Sequence, residues 1–251
     1  MQSSAQQLAL FSDKEEPGTS SGFSVRPSKR AKRLSIKVYP RGRVEVVVPA
    51  RTKAADVEAF VAENQTWIDD ARAAFAKIHP PEPFQLPQWI DMAAIAQRFR
   101  VQYERPSAGR SVRSRTRHNT VILSGCTQDE QECVAALKRW LTKLARKELG
   151  RRLDAVASEI GLGYDRLQVR GQRTCWGSHS STGTISLNYC MLFLDPDAVR
   201  YLLVHELCHG KHMNHSKRFW NLVGRFEPRY KQLDKAVSDA WSRVPVWLGI
   251  N

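Results

Sequence analysis

The stretch Tyr201-Leu-Leu-Val-His205-Glu206-Leu-Cys-His209-Gly-Lys-His212-Met-Asn-His215-Ser constrains this chain more than any other. Two histidines four positions apart fall on the same side of a helix, one turn from each other. Their imidazoles can then share one zinc ion. Glu206 neighbours His205, so its carboxylate lies beside such an ion without having to ligate it. A carboxylate there can take a proton from an activated water and hand it to a departing amine. Zinc brings the pKa of its water down towards ~7, which makes hydroxide available at neutral pH. The preceding residues, 199–204, are mostly apolar, as the buried side of a helix requires.

A catalytic zinc needs a third protein ligand and an open fourth position. His215 follows His205 by ten residues, the first-to-third ligand spacing of HExxHxxGxxH zinc peptidases. In those enzymes a glycine turns the chain where this one has His212. Gly210 is read instead as the helix terminator and Asn214 as a left-handed turn residue. Glu227, farther downstream, is the rival third ligand. The site expected is therefore His205, His209 and His215 on zinc, with Glu206 as general base.

Composition narrows the class. The chain has 251 residues, with 39 Lys+Arg against 25 Asp+Glu, a net charge of +14. Such an excess points to an anionic partner, and nucleic acid is the natural one. The basic residues cluster in 26–43, in 98–117 and in 138–152. No base-reading motif accompanies them, so contact would be with phosphates and salt-dependent. Five cysteines, none in CxxC spacing, argue against a disulfide framework or a cysteine zinc knuckle. No run approaches the ~18 apolar residues of a membrane helix, and the first residues lack the pattern of a secretory signal. A cytoplasmic protein with no membrane partner is expected.

Along the chain, residues 1–24 read as a disordered tail. Residues 25–80 read as an N-terminal β-hairpin and helix: two alternating runs flank Pro40-Arg41-Gly42, and a helical face spans 53–78. Residues 81–126 read as a linker and β region, with a short helix near 88–97 and strands near 98–104 and 119–124. Residues 127–251 read as the catalytic core. A capping box of Thr127 and Glu130 opens a long helix that Gly161 ends. Strands follow near 166–170 and 183–188. Asp195 and Pro196 begin the histidine helix, and another helix begins near Ser216. The fold class expected is α+β.

Three stretches resemble the YgjP-like family of zinc metallopeptidases, a relative of the SprT-like proteases. They are RLSIKVYPRGRVEVVVP through Trp67-Ile68, Arg173-Thr-Cys-Trp176-Gly177-Ser178 with Gly183-Thr-Ile-Ser-Leu-Asn188, and VHELCHGKHMNHSKRFW with Pro228 to Tyr230. The resemblance covers about residues 26–240. It implies a minimal zincin-like core, a metal helix packed on a small sheet, with the metal on His205, His209 and His215. It also implies an edge strand that pairs with extended substrate, for which Gly183–Asn188 is the expected segment. Arg173, Tyr230 and the zinc are the candidate oxyanion stabilisers. The family commonly reads Arg-Trp-Gly-Ser-Cys where this chain has Cys175-Trp176-Gly177-Ser178-His179. The displaced arginine's role would fall to Arg173 or be lost, and His179 is read as an exposed loop residue.

In the tail, Gln7-Leu8-Ala-Leu10-Phe11 resembles the short motif that docks bacterial proteins on the replicative sliding clamp. With the basic charge, it suggests a peptidase acting on DNA-associated proteins. Two other readings compete. One is a DNA- or clamp-associated binding module with a structural or vestigial zinc site. The other is a zinc hydrolase with a non-peptide substrate.

Overall fold

Alternation of apolar residues in the first sheet sets its sidedness. In a computed structural model, which describes residues 22–28, 31–38, 42, 44–78, 84–105, 109, 111–172 and 175–249, β2 (Ser35–Val38) and β3 (Val44–Pro49) pair antiparallel as the hairpin pattern predicts. A further strand, β1 (Ser24–Ser28), lies parallel to β3 on its other side. Two helices follow, α1 (Ala54–Glu63) and α2 (Gln65–Ile78), where one helical face was expected. Asn64 breaks them: its side chain donates to the Phe60 carbonyl. Val44, Val46 and Val48 bury against Val57, Val61 and Ile68. Contacts group the chain into two units that divide between Glu82 and Pro83, and the first ends here.

The second unit opens with a four-stranded sheet, ordered β4-β5-β7-β6. Its strands are β4 (Trp89–Met92), β5 (Gln97–Tyr103), β6 (Val112–Arg117) and β7 (Thr120–Gly125). The helix expected near 88–97 is thus a strand, a 3-10 turn at Ala93–Ile95 and the start of β5. Ile90 and Met92 are buried and alternate with exposed Trp89 and Asp91 as the segment pairs antiparallel with β5. Ile90, Phe99, Val101, Val121 and Leu123 of this sheet share one core with the helices that follow.

Helix α3 (Glu130–Ile160) runs 31 residues and ends at Gly161, whose φ of +67° lies in the left-handed region. Its N-cap is Asp129, which accepts from the Glu132 amide at 3.0 Å. Thr127, expected in that role, donates to the Glu104 carbonyl instead. The sheet packs on α3 through Phe99 against Trp140.

A three-stranded sheet follows: β8 (Arg166–Arg170), β9 (Gly177–His179) and β10 (Thr184–Asn188). The order is β8-β10-β9. Strand β10 is therefore central, parallel to β8 and antiparallel to β9. The expectation of a free edge at 183–188 fails, because both sides of β10 are already paired. The edge beside the histidine helix is β9.

Helices α4 (Pro196–His209), α5 (Lys217–Phe226) and α6 (Tyr230–Asp239) complete the unit. Helix α4 packs against β9, α3, α5 and α6, the helix-on-small-sheet arrangement expected of a zincin-like core. Asp195 stands at the α4 N-cap position and pairs with Arg243 rather than capping through its side chain. Among the described residues, no helix is long and apolar enough to cross a membrane.

Candidate metal centre

Helix α4 buries one whole side, from Ala198 to Leu207, and its last turn carries His205, Glu206 and His209. One turn apart, the Nε2 atoms of His205 and His209 come within 3.2 Å. The chain leaves the helix through short bonds, Gly210 N to Leu207 O and Lys211 N to Cys208 O. Asn214 does not take the left-handed conformation expected of it. The loop brings His215 back so that its Nε2 lies 3.1 Å from that of His205. The three possible ligand atoms all lie within 4.8 Å of one another. A tetrahedral ion bound at ~2.0–2.1 Å needs nitrogens roughly 3.3 Å apart, and the two distances to His205 Nε2 already match that spacing.

The other ring nitrogens are held so as to leave Nε2 free. Nδ1 of His209 lies 3.0 Å from the His212 carbonyl, which makes Nδ1 the donor. Nδ1 of His205 lies 3.4 Å from the Tyr201 hydroxyl, which itself donates to Asp234 at 2.6 Å. Partners of this kind fix tautomer and orientation in metal-binding histidines. Burial, then the neighbouring His209 and His215, pushes His205 down to about 3. Burial likewise lowers His209. Both rings are neutral at physiological pH, the form that can ligate.

The rings stand on an aromatic floor. Phe219, fully buried on α5, stacks on His209 at 4.5 Å and meets His215 edge-on at 4.8 Å. Trp220 stacks between His215 (5.5 Å) and Tyr230 (5.4 Å). The sequence reading did not single out Phe219 and Trp220 as supports. Their i+4 and i+5 spacing from His215 was the available signal.

Glu206 is 4% exposed. Its Oε2 has no hydrogen-bond partner among the described residues, and burial pushes its carboxyl up to about 8. A nearby cation would favour the ionised form. A buried acceptor next to a cluster of neutral nitrogens suits an activated water. Gly177 on β9 lies under the Glu206 side chain. Cys175, in the same segment, feels the Glu206 charge, although burial is the larger reason its thiol is raised.

Glu227, the rival ligand, belongs elsewhere. It is buried and pairs with Arg200 at 3.1 Å and with Arg229 at 3.5 Å. His212 contributes only its carbonyl. His179 is not an exposed loop residue: it lies on β9, half-buried, with Nδ1 2.6 Å from the Glu206 carbonyl. Tyr230 is half-buried against Trp220. Arg173 and the residues Gln7, Leu8, Leu10 and Phe11 lie outside the described residues.

The model of the YgjP-like metallopeptidase domain matches residues 32–239. The chain belongs to the YgjP-like family. As a YgjP-like metallopeptidase it is a hydrolase of peptide bonds that uses a metal. No curated protein matches it significantly. Among solved structures it is similar to the crystal structure of the metallopeptidase zymogen of Pyrococcus abyssi abylysin. That likeness has 26% identity and a TM-score of 0.33, covering 36% of this chain and 90% of that one. This YgjP-like chain has Cys175 two residues before β9 and His179 at the end of that strand. The backbone carbonyl of Cys175 accepts from the Asn188 side chain, and His179 is anchored to α4.

Proposed function

We propose that the metal is zinc, held by His205, His209 and His215, and that Glu206 is the general base of peptide-bond hydrolysis. The observation that carries this reading is the buried Glu206 carboxylate, unpartnered at Oε2, beside three histidines whose free Nε2 atoms converge. A structural site would need the histidines alone. Zinc, when bound, supplies Lewis acidity to the attacking water and the scissile carbonyl. Glu206 receives the water's proton at its carboxylate and delivers it to the leaving nitrogen. Tyr201 and Asp234 orient His205, and His212 orients His209.

Extended substrate adds to the free edge of β9, antiparallel or parallel, through backbone hydrogen bonds and with little sequence preference. The support is the position of β9: it ends its sheet and packs on α4, directly under Glu206. Tyr230 is the oxyanion donor this reading favours, since it stacks on the tryptophan that backs His215.

The substrates are proteins associated with nucleic acid in the cytoplasm. The net charge of +14 supports this. The segment Gln7-Leu8-Ala-Leu10-Phe11 supports recruitment by a sliding clamp. The test is to incubate zinc-loaded protein with casein and with plasmid DNA side by side, with and without chelator. Chelator-sensitive cleavage of casein alone agrees with the proposal. Cleavage of plasmid alone replaces it with a nuclease.

A further inference from the structure

Strand pairing lines up a single row across the four-stranded sheet. Trp89 of β4 pairs with Arg100 of β5, Arg100 with Thr120 of β7, and Thr120 with Arg117 of β6. Side chains alternate along each strand. Phe99, Val101, Val112, Val121 and Leu123 therefore turn into the core. Arg98, Arg100, Arg113, Arg115 and Arg117 are all exposed with Trp89 on the opposite face. Strand β7 lies between β5 and β6 and brings Thr120 and Ile122 to this face, so at ~4.8 Å per strand the arginines form two cationic rows roughly 10 Å apart.

Only part of that charge is balanced. Arg98 pairs with Asp91 at 3.1 Å, and Arg115 with Glu104 at 2.6 Å. Among the described residues, no carboxylate pairs with Arg100, Arg113 or Arg117. Trp89 is 49% exposed, and the Arg98 guanidinium lies over its ring at 5.0 Å. An exposed indole is costly to leave in water and is a stacking platform for any flat, polarisable ring.

We infer that this sheet face binds single-stranded nucleic acid, with Arg100, Arg113 and Arg117 on phosphates and Trp89 stacked on a base. Charge complementarity selects a polyanion. The exposed ring selects one whose bases are unpaired, because a duplex hides its base faces. A broad sheet also lacks the projecting helix or ribbon that enters a major groove. The inference rests on the nucleic-acid part of the proposed function and locates it. The inner face of the sheet packs on α3, and α3 packs in turn on α4. The bound strand therefore lies on the far side of α3 from the histidine cluster and does not compete with substrate.

The test is fluorescence polarisation of a labelled oligothymidylate of about twenty nucleotides, and of a duplex of the same length, with the full chain over a salt series. The variants are the triple Arg100→Ala, Arg113→Ala, Arg117→Ala, the triple with lysines instead, and Trp89→Ala. All these side chains face solvent, and a melting curve confirms that each variant folds. The alanine triple is expected to lose at least tenfold in affinity. Its log–log salt slope should fall by about 2, at ~0.7 per phosphate contact on a single strand. The lysine triple should restore the slope. Trp89→Ala should lose about tenfold with the slope unchanged. Cleavage of a short unstructured peptide should be equal in all of them. Oligothymidylate binding unchanged in the alanine triple overturns this face but leaves nucleic-acid association standing. Duplex bound as tightly as the single strand overturns the stacking assignment. No binding by the unmodified chain overturns both the face and the association, and none of these three results bears on hydrolysis.

Discussion

A Cβ built on Gly177 would stand 2.7 Å from Oε1 of Glu206 and 2.9 Å from its Cγ and Cδ. No real side chain tolerates that approach, so the edge strand and the general base are fitted to each other. Trp176 holds the strand in place: its Nε1 donates to the Val237 carbonyl at 3.1 Å, and its ring stacks on Trp241 at 4.1 Å. Gly177→Ala should therefore push the Glu206 carboxylate aside and leave the histidines alone. An error of ~1 Å in a catalytic group can cost about a hundredfold in rate. The expected result is a kcat lowered by that order with bound zinc unchanged, measured by peptide cleavage and by metal analysis of the same preparation.

Tyr201 links His205 to Asp234 within one hydrogen-bonded chain. Tyr201→Phe removes the acceptor for His205 Nδ1 and strands a carboxylate. Zinc affinity, measured by competition with a chromophoric chelator, should fall ~10–100-fold. Asp234→Asn keeps an acceptor for the tyrosine hydroxyl and should lose less. Equal affinity in all three proteins would remove Tyr201 from this role.

Glu227→Gln and His215→Ala separate the two candidate third ligands. Glu227 serves an ion pair with Arg200, whose side chain is 32% exposed and also reaches Glu159. Its loss should cost about 1–2 kcal/mol in urea unfolding, below the usual ~3 kcal/mol limit for a charged hydrogen bond because Arg200 keeps solvent and a second partner. Zinc content should not change. His215→Ala should lose zinc while its metal-free stability stays within about 1 kcal/mol of wild type, since His215 is exposed. The opposite pattern would make Glu227 the ligand.

Chelation should act locally. The return loop after α4 has few backbone hydrogen bonds, ending with His212 N to Cys208 O, and a metal bridging His209 and His215 would tie it down. Hydrogen exchange with and without chelator should show deprotection across 211–216. The amides of α3 should change only as overall stability changes with ligand loss.

The histidine helix was legible because its signal is local. The i, i+4 spacing, the apolar run before it and Pro196 at its start all lie within one segment. Gly161 as a stop and the hairpin pairing were legible for the same reason. What the sequence concealed was set by tertiary partners. Nothing local says that β9 pairs outside β10, so Gly183–Asn188 looked like an edge and is a centre strand. His179 looked like a loop residue because its anchor, the Glu206 carbonyl, lies 27 positions away. Trp89, Ile90, Asp91 and Met92 alternate over only four residues, and it is their pairing with β5, a tertiary partner, that makes them a strand. Thr127 matched a capping pattern, but the helix starts at Glu130, so Asp129 stands at the cap and accepts from the Glu132 amide.

The most direct test of the central claim pairs metal content with cleavage in wild type and Glu206→Gln. The amide keeps the size of the side chain and the fit over Gly177 but cannot accept the water's proton. The account predicts zinc near one per chain in both proteins, with cleavage of an unfolded protein substrate only in wild type. Glu206→Gln that cleaves as fast as wild type, or a wild type that binds no zinc, would contradict it.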